Sequence, residues 1–454
     1  MGLDLVFGHI EQHRDAFIER LCAYLRMPSI SAQGVGIAEN ADFLVSFLSG
    51  MGLEARQIGT AGWPLVYARR DDVPGGPRIL LYGHYDVQPP DPLDQWISPP
   101  FLPEIRDGRI YARGAGDNKG QHFANLLAIE SLLAVNGALP CNVIVLLEGE
   151  EEVGSPNIAE FVRTHPDLID LDLVVTSDGP VHDSGRQTIE FGVRGVADFE
   201  LRARGANRDL HSGNFGGVAP NPIWTLVHAL ASMKNPAGEI TIEGFYDSIV
   251  PPTELEWAAI AAMPDGTALV MADLGLTRLD APLDRPFYDR LMAWPTLTIN
   301  GFHGGYGGPG SKTVLPSEAF VKCDVRLVPN QTVAEIHEKI AAHLRTHASE
   351  VEFIPGGGMD PSKTPLDSPF TEPIRRAIEA ATGEDPLLVP AMGGSLPEYV
   401  WTKILGKPAF VVPYANHDER NHAPNENIEV ARFIKGIKIG AALLTEVGSG
   451  RLGT

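Results

Sequence analysis

Cysteine is scarce in this chain of 454 residues. Its three cysteines, Cys22, Cys141 and Cys323, are odd in number and far apart, and no CxxC pair occurs. This spacing supports neither a disulfide framework nor a zinc site built from thiolates. It is typical of a protein in a reducing compartment, so we expect a cytoplasmic location.

Long apolar runs and an excess of basic residues are also missing. No apolar stretch approaches the roughly 20 residues that span a bilayer, and the N-terminus lacks the pattern of a secretory signal. Lysine and arginine number 36 against 58 aspartate and glutamate, which gives a net charge of −22. This charge argues against a nucleic-acid or membrane partner and is compatible with metal cations.

The length and the hydrophobic pattern predict two domains, because one core rarely organises so long a chain. After an amphipathic helix over residues 10–25, continuous apolar strands such as "RILLYGHYDV" and "NVIVLLEGE" alternate with helical patterns, and this alternation resumes near residue 358. It predicts an α/β domain from residues 1–192 and 358–454. We expect a mixed, mostly parallel sheet with helices on both faces.

The pattern between these two parts is different. The segments "ADFELRAR" and "FVKCDVRLV" alternate apolar and polar residues, which is typical of half-buried antiparallel strands. A helical spacing of apolar residues runs from Val333 to Leu344. We therefore predict an inserted α+β domain over residues 193–357.

Residue types that bind metals follow three of the predicted parallel strands. His84 and Asp86 end one strand, Glu151 and Glu152 follow the next, and Asp178 follows a third. Each of these residues, taken alone, could have an ordinary structural role instead, such as a histidine in a turn or an aspartate that caps a helix. Because ligands bind beyond the carboxyl ends of strands in open α/β sheets, the three strand ends together predict one polar crevice.

Two further segments offer ligands. The turn "GAGDNKG" places Asp117 before a helix, where capping is the alternative, and "NHDERNHAPNENI" offers His417 and His422. The combined set contains nitrogen and oxygen ligands without sulfur: His84, Asp117, Glu152, Asp178 and His422. Such a set suits two Zn²⁺, Mn²⁺ or Co²⁺ ions that share a carboxylate.

These motifs resemble the M20 family of dinuclear metallopeptidases, and within it the branch of cytosolic nonspecific dipeptidases and carnosinases. The likeness covers nearly the whole chain, because "GHYDVQP", "LLEGEEEVGS", "RDLHSG", "SKTVLP", "DVRLVPNQT", "GGSLPE" and "NHAPNENI" occur in the family's order. The resemblance implies a zinc-peptidase-like catalytic domain. It also implies hydrolysis of dipeptides or short peptides that have a free C-terminal carboxylate.

The resemblance assigns a role to each ligand. It implies that one metal is held by His84 and Asp178, the other by Glu152 and His422, and both by Asp117. His422 is favoured over His417 because the family's histidine is followed four residues later by glutamate, as in "HAPNE".

The resemblance also implies the groups around the metals. Asp86 would orient His84 through its second ring nitrogen, and Glu151 would be the general base that activates the attacking water. The peptide bond between Asp117 and Asn118 is expected to be cis.

The inserted domain resembles a lid that also forms a homodimer. His211 would reach the partner's active site and stabilise the charge that develops on the scissile carbonyl. Arg326 would bind the substrate carboxylate, and Thr313, Gly394 and Ser395 would line the substrate pocket. Ordinary roles as loop, strand and turn residues are the alternatives for these positions.

The substrate is less well defined than the chemistry. Ala391 and Met392 precede the "GGS" segment, where family members often have a basic residue, so the side-chain preference stays open. The same machinery acting on N-acyl or N-carbamoyl amino acids is the alternative function. A catalytically inactive homologue that only binds its ligand is a more remote alternative, because the expected residue type is present at every site position.

Overall fold

The computed structural model describes residues 2–280 and 285–450. The strands among them are β1 (Glu54–Ile58), β2 (Leu65–Arg70), β3 (Arg78–His84), β4 (Glu104–Arg106), β5 (Arg109–Tyr111), β6 (Asn142–Glu148), β7 (Leu173–Thr176), β8 (Thr188–Glu190), β9 (Gly192–Val193), β10 (Gly195–Arg204), β11 (Leu210–His211), β12 (Thr296–Gly304), β13 (Val314–Leu315), β14 (Glu318–Leu327), β15 (Glu352–Met359), β16 (Ser362–Lys363), β17 (Leu387–Val389), β18 (Ala409–Val411) and β19 (Asn427–Glu429). The α-helices are α1 (Leu3–Gln12), α2 (Arg14–Leu25), α3 (Ile37–Gly50), α4 (Lys119–Asn136), α5 (Ile158–Thr164), α6 (Ser212–Phe215), α7 (Pro222–Met233), α8 (Glu254–Ala261), α9 (Thr267–Asp273), α10 (Phe287–Ala293), α11 (Val333–His347), α12 (Thr371–Thr382) and α13 (Val430–Gly448). None of these described helices combines the length and the apolar character that crossing a bilayer requires.

The larger sheet contains eight strands in the described part of the chain, in the order β1-β2-β6-β3-β7-β18-β8-β17. The pairs β3–β6, β3–β7, β7–β18 and β8–β17 are parallel. The pairs β1–β2, β2–β6 and β8–β18 are antiparallel. The predicted mixed, mostly parallel sheet is therefore confirmed.

Successive residues of the central strands point to opposite faces of this sheet, and both faces are covered. In β6, Val143 and Val145 belong to the core shared with α1, α4 and α13, whereas Ile144 and Leu146 pack with α5 in a second core. Because a strand buried on both faces exposes neither set of side chains, its sequence is continuously apolar.

The smaller sheet is antiparallel and has the order β12-β14-β10-β15. Leu226 of α7 and Ile340 of α11 share a core with Phe199 of β10 and Val321 of β14. The expected α+β unit is therefore present, and its strands follow the alternating segments from which it was predicted.

The chain passes between the two sheets at β9 and β16, and these two short strands pair with each other in antiparallel fashion. The smaller sheet begins with β10 at Gly195 and ends with β15 at Met359. We propose the division into one domain from residues 1–192 and 358–454 and an inserted domain from residues 193–357, with the second boundary near the end of β15, whose Gly358 and Met359 still pair with β10.

Part of the inserted segment packs on the larger sheet. Ile260 of α8 and Met292 of α10 share a small apolar cluster with Val389 of β17. Lys363 Nζ lies 2.6 Å from Oε1 of Glu256 in α8. These helices therefore lie beside the chain segment that follows β17.

The N-terminal helix that was predicted over residues 10–25 is in fact two helices, α1 and α2, which meet at His13. The His13 ring nitrogen Nδ1 donates to the carbonyl oxygen of His9 at 2.9 Å, and the His13 backbone leaves the helical region with φ −102° and ψ 10°. The His13 backbone N–H still donates to the His9 carbonyl oxygen at 3.0 Å, so the interruption is confined to the backbone angles of one residue, which the apolar spacing does not reveal.

Gly120 allows α4 to begin directly against the turn that precedes it. A Cβ atom at this position would lie 2.0 Å from the Ala115 carbonyl oxygen, whereas a Cβ at Gly50 in α3 would meet no atom within 4 Å. We expect Gly120→Ala to destabilise the protein by about 1–3 kcal/mol, because the backbone must shift. Gly50→Ala should be neutral or stabilising, because alanine favours helices.

Thermal unfolding of both variants measures this difference. Equal melting temperatures for Gly120→Ala and the wild type would show that the turn adapts without cost.

Candidate metal centre

Neighbouring parallel strands of the larger sheet end at one edge. His84 is the last residue of β3, the turn Glu151–Val153 follows β6, and Asp178 follows β7. Because β6, β3, β7 and β18 are adjacent, the loops after them meet, and the loop after β18 contributes His422. Asp117, just before α4, completes the group.

Asp86 is a buried carboxylate that contacts both His84 and the turn after β6. His84 Nδ1 lies 3.3 Å from Asp86 Oδ1 and 3.1 Å from the Asp86 backbone oxygen. The backbone N–H groups of Glu151 and Glu152 donate to Asp86 Oδ1 and Oδ2, at 3.3 and 3.1 Å. Because these oxygens can only accept, Nδ1 of His84 donates to them, which leaves Nε2 to face the rest of the cluster.

Asp117 lies between two imidazole rings. Its Oδ1 is 3.1 Å from His84 Nε2, and its Oδ2 is 3.0 Å from His422 Nε2. Each ring has a second carboxylate neighbour, since His84 Nε2 is 3.4 Å from Asp178 Oδ2 and His422 Nε2 is 3.2 Å from Glu152 Oε2. The five predicted ligands therefore form one connected cluster with Asp117 at its centre.

The buried Glu426 carboxylate holds the turn that carries Asp117. The N–H groups of Gly116 and Asp117 donate to its Oε1, at 2.9 and 3.0 Å. The Gly114 N–H and the Arg113 guanidinium donate to its Oε2, at 3.1 and 2.7 Å. The peptide bond that follows Asp117 is cis, as predicted.

Glu152 is oriented by Gln88. The Gln88 backbone N–H donates to Glu152 Oε1 at 3.0 Å, and its side-chain amide donates to Oε2 at 2.9 Å. This oxygen faces His422, whereas His417 is exposed and forms no ion pair with Asp117 or Glu152 among the described residues. The structure thus brings His422, and not His417, into the cluster.

The donor atoms fit the divalent metal that the family resemblance implies. One ligand atom each of His84, Asp117 and Glu152 lies within 4.8 Å of the other two. Asp117 and then Glu152 raise the pKa of His422 to about 11, which reflects the excess of negative charge. His84 Nε2 is buried and has no hydrogen-bond partner in the described chain. A buried nitrogen that faces carboxylate oxygens matches the ligand preferences of zinc and manganese.

Glu151 lies beside this cluster, in the same turn as Glu152. Desolvation by the surrounding protein raises the pKa of Glu151 well above its usual value, and the carboxylates of Asp178, Glu152 and Asp117 act in the same direction, opposed by His84. Glu151 is therefore a desolvated carboxyl group in direct proximity to the predicted ligands.

The other two glutamates of the acidic run have different partners. The hydroxyls of Tyr82 and Ser155 donate to Glu148 Oε1, the second at 2.9 Å, and burial raises the pKa of Glu148 to about 7. The Asn157 amide donates to Glu150 Oε2 at 2.6 Å. Both glutamates therefore support the turn that positions Glu151 and Glu152.

Two of the predicted substrate residues come together where the two sheets meet. Arg326 Nη1 donates to the hydroxyl of Ser395 at 2.8 Å, and Arg326 Nε lies 3.3 Å from Asp324 Oδ2. Gly394 is exposed, and a Cβ there would make only an ordinary contact, at 3.6 Å from the Met392 methyl carbon. The tighter position is Gly393, where a Cβ would lie 2.6 Å from Leu291.

His211 and Thr313 lie elsewhere: His211 ends β11, and Thr313 directly precedes β13, which pairs with β11. Both are exposed, and His211 Nε2 is 3.4 Å from Thr313 Oγ1. Among the described residues no hydrogen bond or ion pair joins either of them to the metal-ligand cluster. The fold of one chain thus leaves both side chains accessible.

Glu426 and Gln88 were not among the residues assigned roles from the sequence. Both occur in motifs that carry the resemblance, "HAPNE" and "GHYDVQP". Their hydrogen bonds to the turn of Asp117 and to Glu152 explain why those motifs extend beyond the ligands themselves.

Comparison with known proteins gives a consistent result. Residues 80–446 match the family model described as Peptidase family M20/M25/M40. The chain is 28% identical to the human Beta-Ala-His dipeptidase, over 98% of this chain and 92% of that protein. It is 29% identical to the Cys-Gly metallodipeptidase dug1 of Schizosaccharomyces pombe, over 99% of both.

Solved structures with the same fold extend over the whole chain. An M20 family metallo-carboxypeptidase from Sulfolobus solfataricus has a TM-score of 0.90 and 34% identity, covering 95% of this chain and 99% of its own. Human carnosine dipeptidase 1 has a TM-score of 0.85 and 28% identity, covering 98% and 99%.

We expect Zn²⁺ or Mn²⁺ to stabilise the metal-stripped protein, because a cation relieves the repulsion among clustered carboxylates. At a concentration of 100 Kd the gain is about 2.7 kcal/mol. Asp178→Asn should reduce this gain, because Asp178 is a predicted ligand of one of the two ions, whereas Asp167→Asn, at an exposed position, should keep it. Thermal melts with and without metal test this, and equal metal-induced shifts in both variants would remove Asp178 from the ligand set.

Proposed function

Because the chain belongs to the Peptidase family M20/M25/M40, we propose that it is a metal-dependent peptidase that hydrolyses dipeptides or short peptides with a free C-terminal carboxylate. The observation that carries this proposal is the cluster centred on Asp117, with Glu151 in the adjoining turn. The names of two relatives, a Beta-Ala-His dipeptidase and a Cys-Gly metallodipeptidase, support dipeptides as the substrate class.

We propose that two divalent ions, Zn²⁺ or Mn²⁺ with Co²⁺ as an alternative, bind each subunit. His84 and Asp178 would hold one, Glu152 and His422 the other, and Asp117 both. The support for a shared ligand is geometric, because Oδ1 of Asp117 faces one imidazole and Oδ2 faces the other. Metal ions held in this way lower the pKa of a water molecule and polarise the scissile carbonyl.

Glu151 is the proposed proton carrier. It takes a proton from the water as the water oxygen attacks the carbonyl carbon, and it gives this proton to the amine nitrogen as the C–N bond breaks. Asp86 accepts the backbone N–H of Glu151 and also contacts His84, so it fixes the base relative to one of the ligands. Asp86 is thus a positioning residue.

Substrate binding is assigned to the loop after β17 and the facing strand β14. The Arg326 guanidinium would bind the terminal carboxylate, and Ser395 holds this guanidinium through the observed hydrogen bond. Gly394 leaves the loop open beside them. His211, with Thr313 next to it, would stabilise the oxygen of the scissile carbonyl from the partner subunit.

A substrate panel tests the function. Metal-loaded protein should cleave dipeptides faster than N-acetyl or N-carbamoyl amino acids. Longer peptides belong in the panel because one similar structure is a metallo-carboxypeptidase. Hydrolysis confined to acylated amino acids would overturn the dipeptidase proposal in favour of amidohydrolase activity.

Replacing Glu151 tests the assignment of the base. We expect Glu151→Gln to retain its metal and to lose about 10²–10⁴ in turnover, because the amide accepts no proton. Glu160→Gln, at an exposed position on α5, is the matched control and should keep full activity. Metal analysis combined with steady-state kinetics gives both quantities, and nearly intact turnover in Glu151→Gln would show that another group carries the proton.

We propose that the protein forms a homodimer through the inserted domain. Strand β12 is an edge of the smaller sheet and exposes Ile299 (51%) and Phe302 (40%), while α7 exposes Trp224 (60%). An apolar edge strand and helix are typical of a surface that pairs with another chain. Ile223 of α7 lies against the end of β12, so the exposed apolar side chains of the helix and of the strand belong to one surface.

The shared site can be tested by complementation. The inactive homodimers Glu151→Gln and His211→Ala should regain part of the activity when their subunits exchange, because one mixed site then has both groups intact. The rates before and after exchange, with exchange shown by native mass spectrometry, measure this. No recovery would indicate that His211 acts within its own chain.

A cytoplasmic location is part of the proposal. Cys22, Cys141 and Cys323 are all unpaired and buried, which is compatible with a reducing environment.

A further inference from the structure

Two arginines flank the loop that follows β17. Arg194, at the start of the inserted domain, donates from Nε to the Gly393 carbonyl oxygen at 2.9 Å. Arg326, on β14, donates to Ser395 two residues further along the same loop. The pairing of β10 with β14 places the two arginines near each other, because Val196 lies opposite Arg326.

Among the described residues, the two arginines have one carboxylate near them, that of Asp324. Arg194 is only 8% exposed, and no carboxylate of the described residues lies within ion-pair distance of it. Arg326 has Asp324 at 3.3 Å. Burial, and then the nearby Arg326, lower the pKa of Arg194 to about 10. A nearly buried guanidinium that no carboxylate contacts directly is costly unless an anion binds beside it.

We propose that Arg194 and Arg326 bind the terminal carboxylate of the substrate together, which makes Arg194 a second specificity residue. This inference rests on the proposed peptidase function and deepens it. The Nε of Arg194 is occupied by Gly393, so its two terminal nitrogens are the donors left for a ligand. The loop from Ala391 to Ser395 contains no cationic side chain, so the positive charge at this place comes from the two arginines.

The alternative is that Arg194 only holds the loop through Gly393. The two roles differ in what they recognise. A residue that binds the carboxylate affects a ligand with a terminal carboxylate and spares the corresponding C-terminal amide, whereas a residue that only shapes the loop affects both ligands alike.

Binding should be measured with a dipeptide analogue in which CH₂–NH replaces the peptide group, and with its C-terminal amide. Neither is cleaved, so calorimetry reports affinity without turnover. Arg194→Gln should weaken binding of the carboxylate form about ten- to a hundredfold, the usual effect of losing a hydrogen bond to a charged group. The affinity for the amide should change less than about threefold.

Two further variants complete the test. Arg194→Lys keeps the charge and should retain most of the preference for the carboxylate. Arg202 lies on β10, the strand that begins directly after Arg194, and pairs with Glu200, so Arg202→Gln should match the wild type. Equal weakening of both analogues in Arg194→Gln, or no weakening of either, would overturn the proposal.

Arg326→Gln tests the same idea without altering Arg194, in case that substitution prevents folding. A residual preference of about tenfold for the carboxylate is expected from the remaining arginine. Complete loss of preference would show that Arg326 acts alone.

A wild-type protein that prefers the carboxylate analogue but cleaves no peptide would overturn the proposed function only. Equal affinity of the wild-type protein for the two analogues would show that it does not recognise the terminal carboxylate, and would overturn the proposed role of both arginines.

Discussion

The carboxylate of Asp86 connects the parts of the candidate metal centre. One side of it meets Nδ1 of His84 at the end of β3, and both of its oxygens accept backbone N–H groups from the turn after β6. A ligand and the proposed base are thereby fixed to each other through one buried group. Because the hydrogen bond to Nδ1 also selects the tautomer of His84, this contact decides which nitrogen faces the metal-ligand cluster.

A second buried carboxylate plays the corresponding part for Asp117. Glu426 accepts hydrogen bonds from the Gly114, Gly116 and Asp117 backbones and from Arg113, so the turn before α4 has little freedom. The side chain of Asp117 can then place one oxygen towards each imidazole. The side chains that face the centre are thus positioned by two carboxylates, Asp86 and Glu426, that are themselves fully buried.

The balance of charge is different at the boundary between the two sheets. There the excess is positive, because Arg194 and Arg326 share a single nearby carboxylate, Asp324. The carboxylate cluster lies at the ends of β3, β6 and β7, where bound cations would polarise a scissile carbonyl. The two arginines lie beside the loop after β17, where they suit the anionic terminus of the same substrate. The helices α8 and α10 pack beside the same loop and bring Leu291 against Gly393.

The sequence by itself determined the parallel and antiparallel character of the two sheets, because burial on two faces or on one leaves a continuous or an alternating apolar pattern. It also indicated which strands end in metal-binding residue types. It did not show the break between α1 and α2, which is confined to the backbone angles of His13. Only the tertiary structure decided that His422 and not His417 meets Asp117, and that Arg194 contacts the loop after β17 with no described carboxylate within ion-pair distance, because both facts depend on distances between segments more than 100 residues apart.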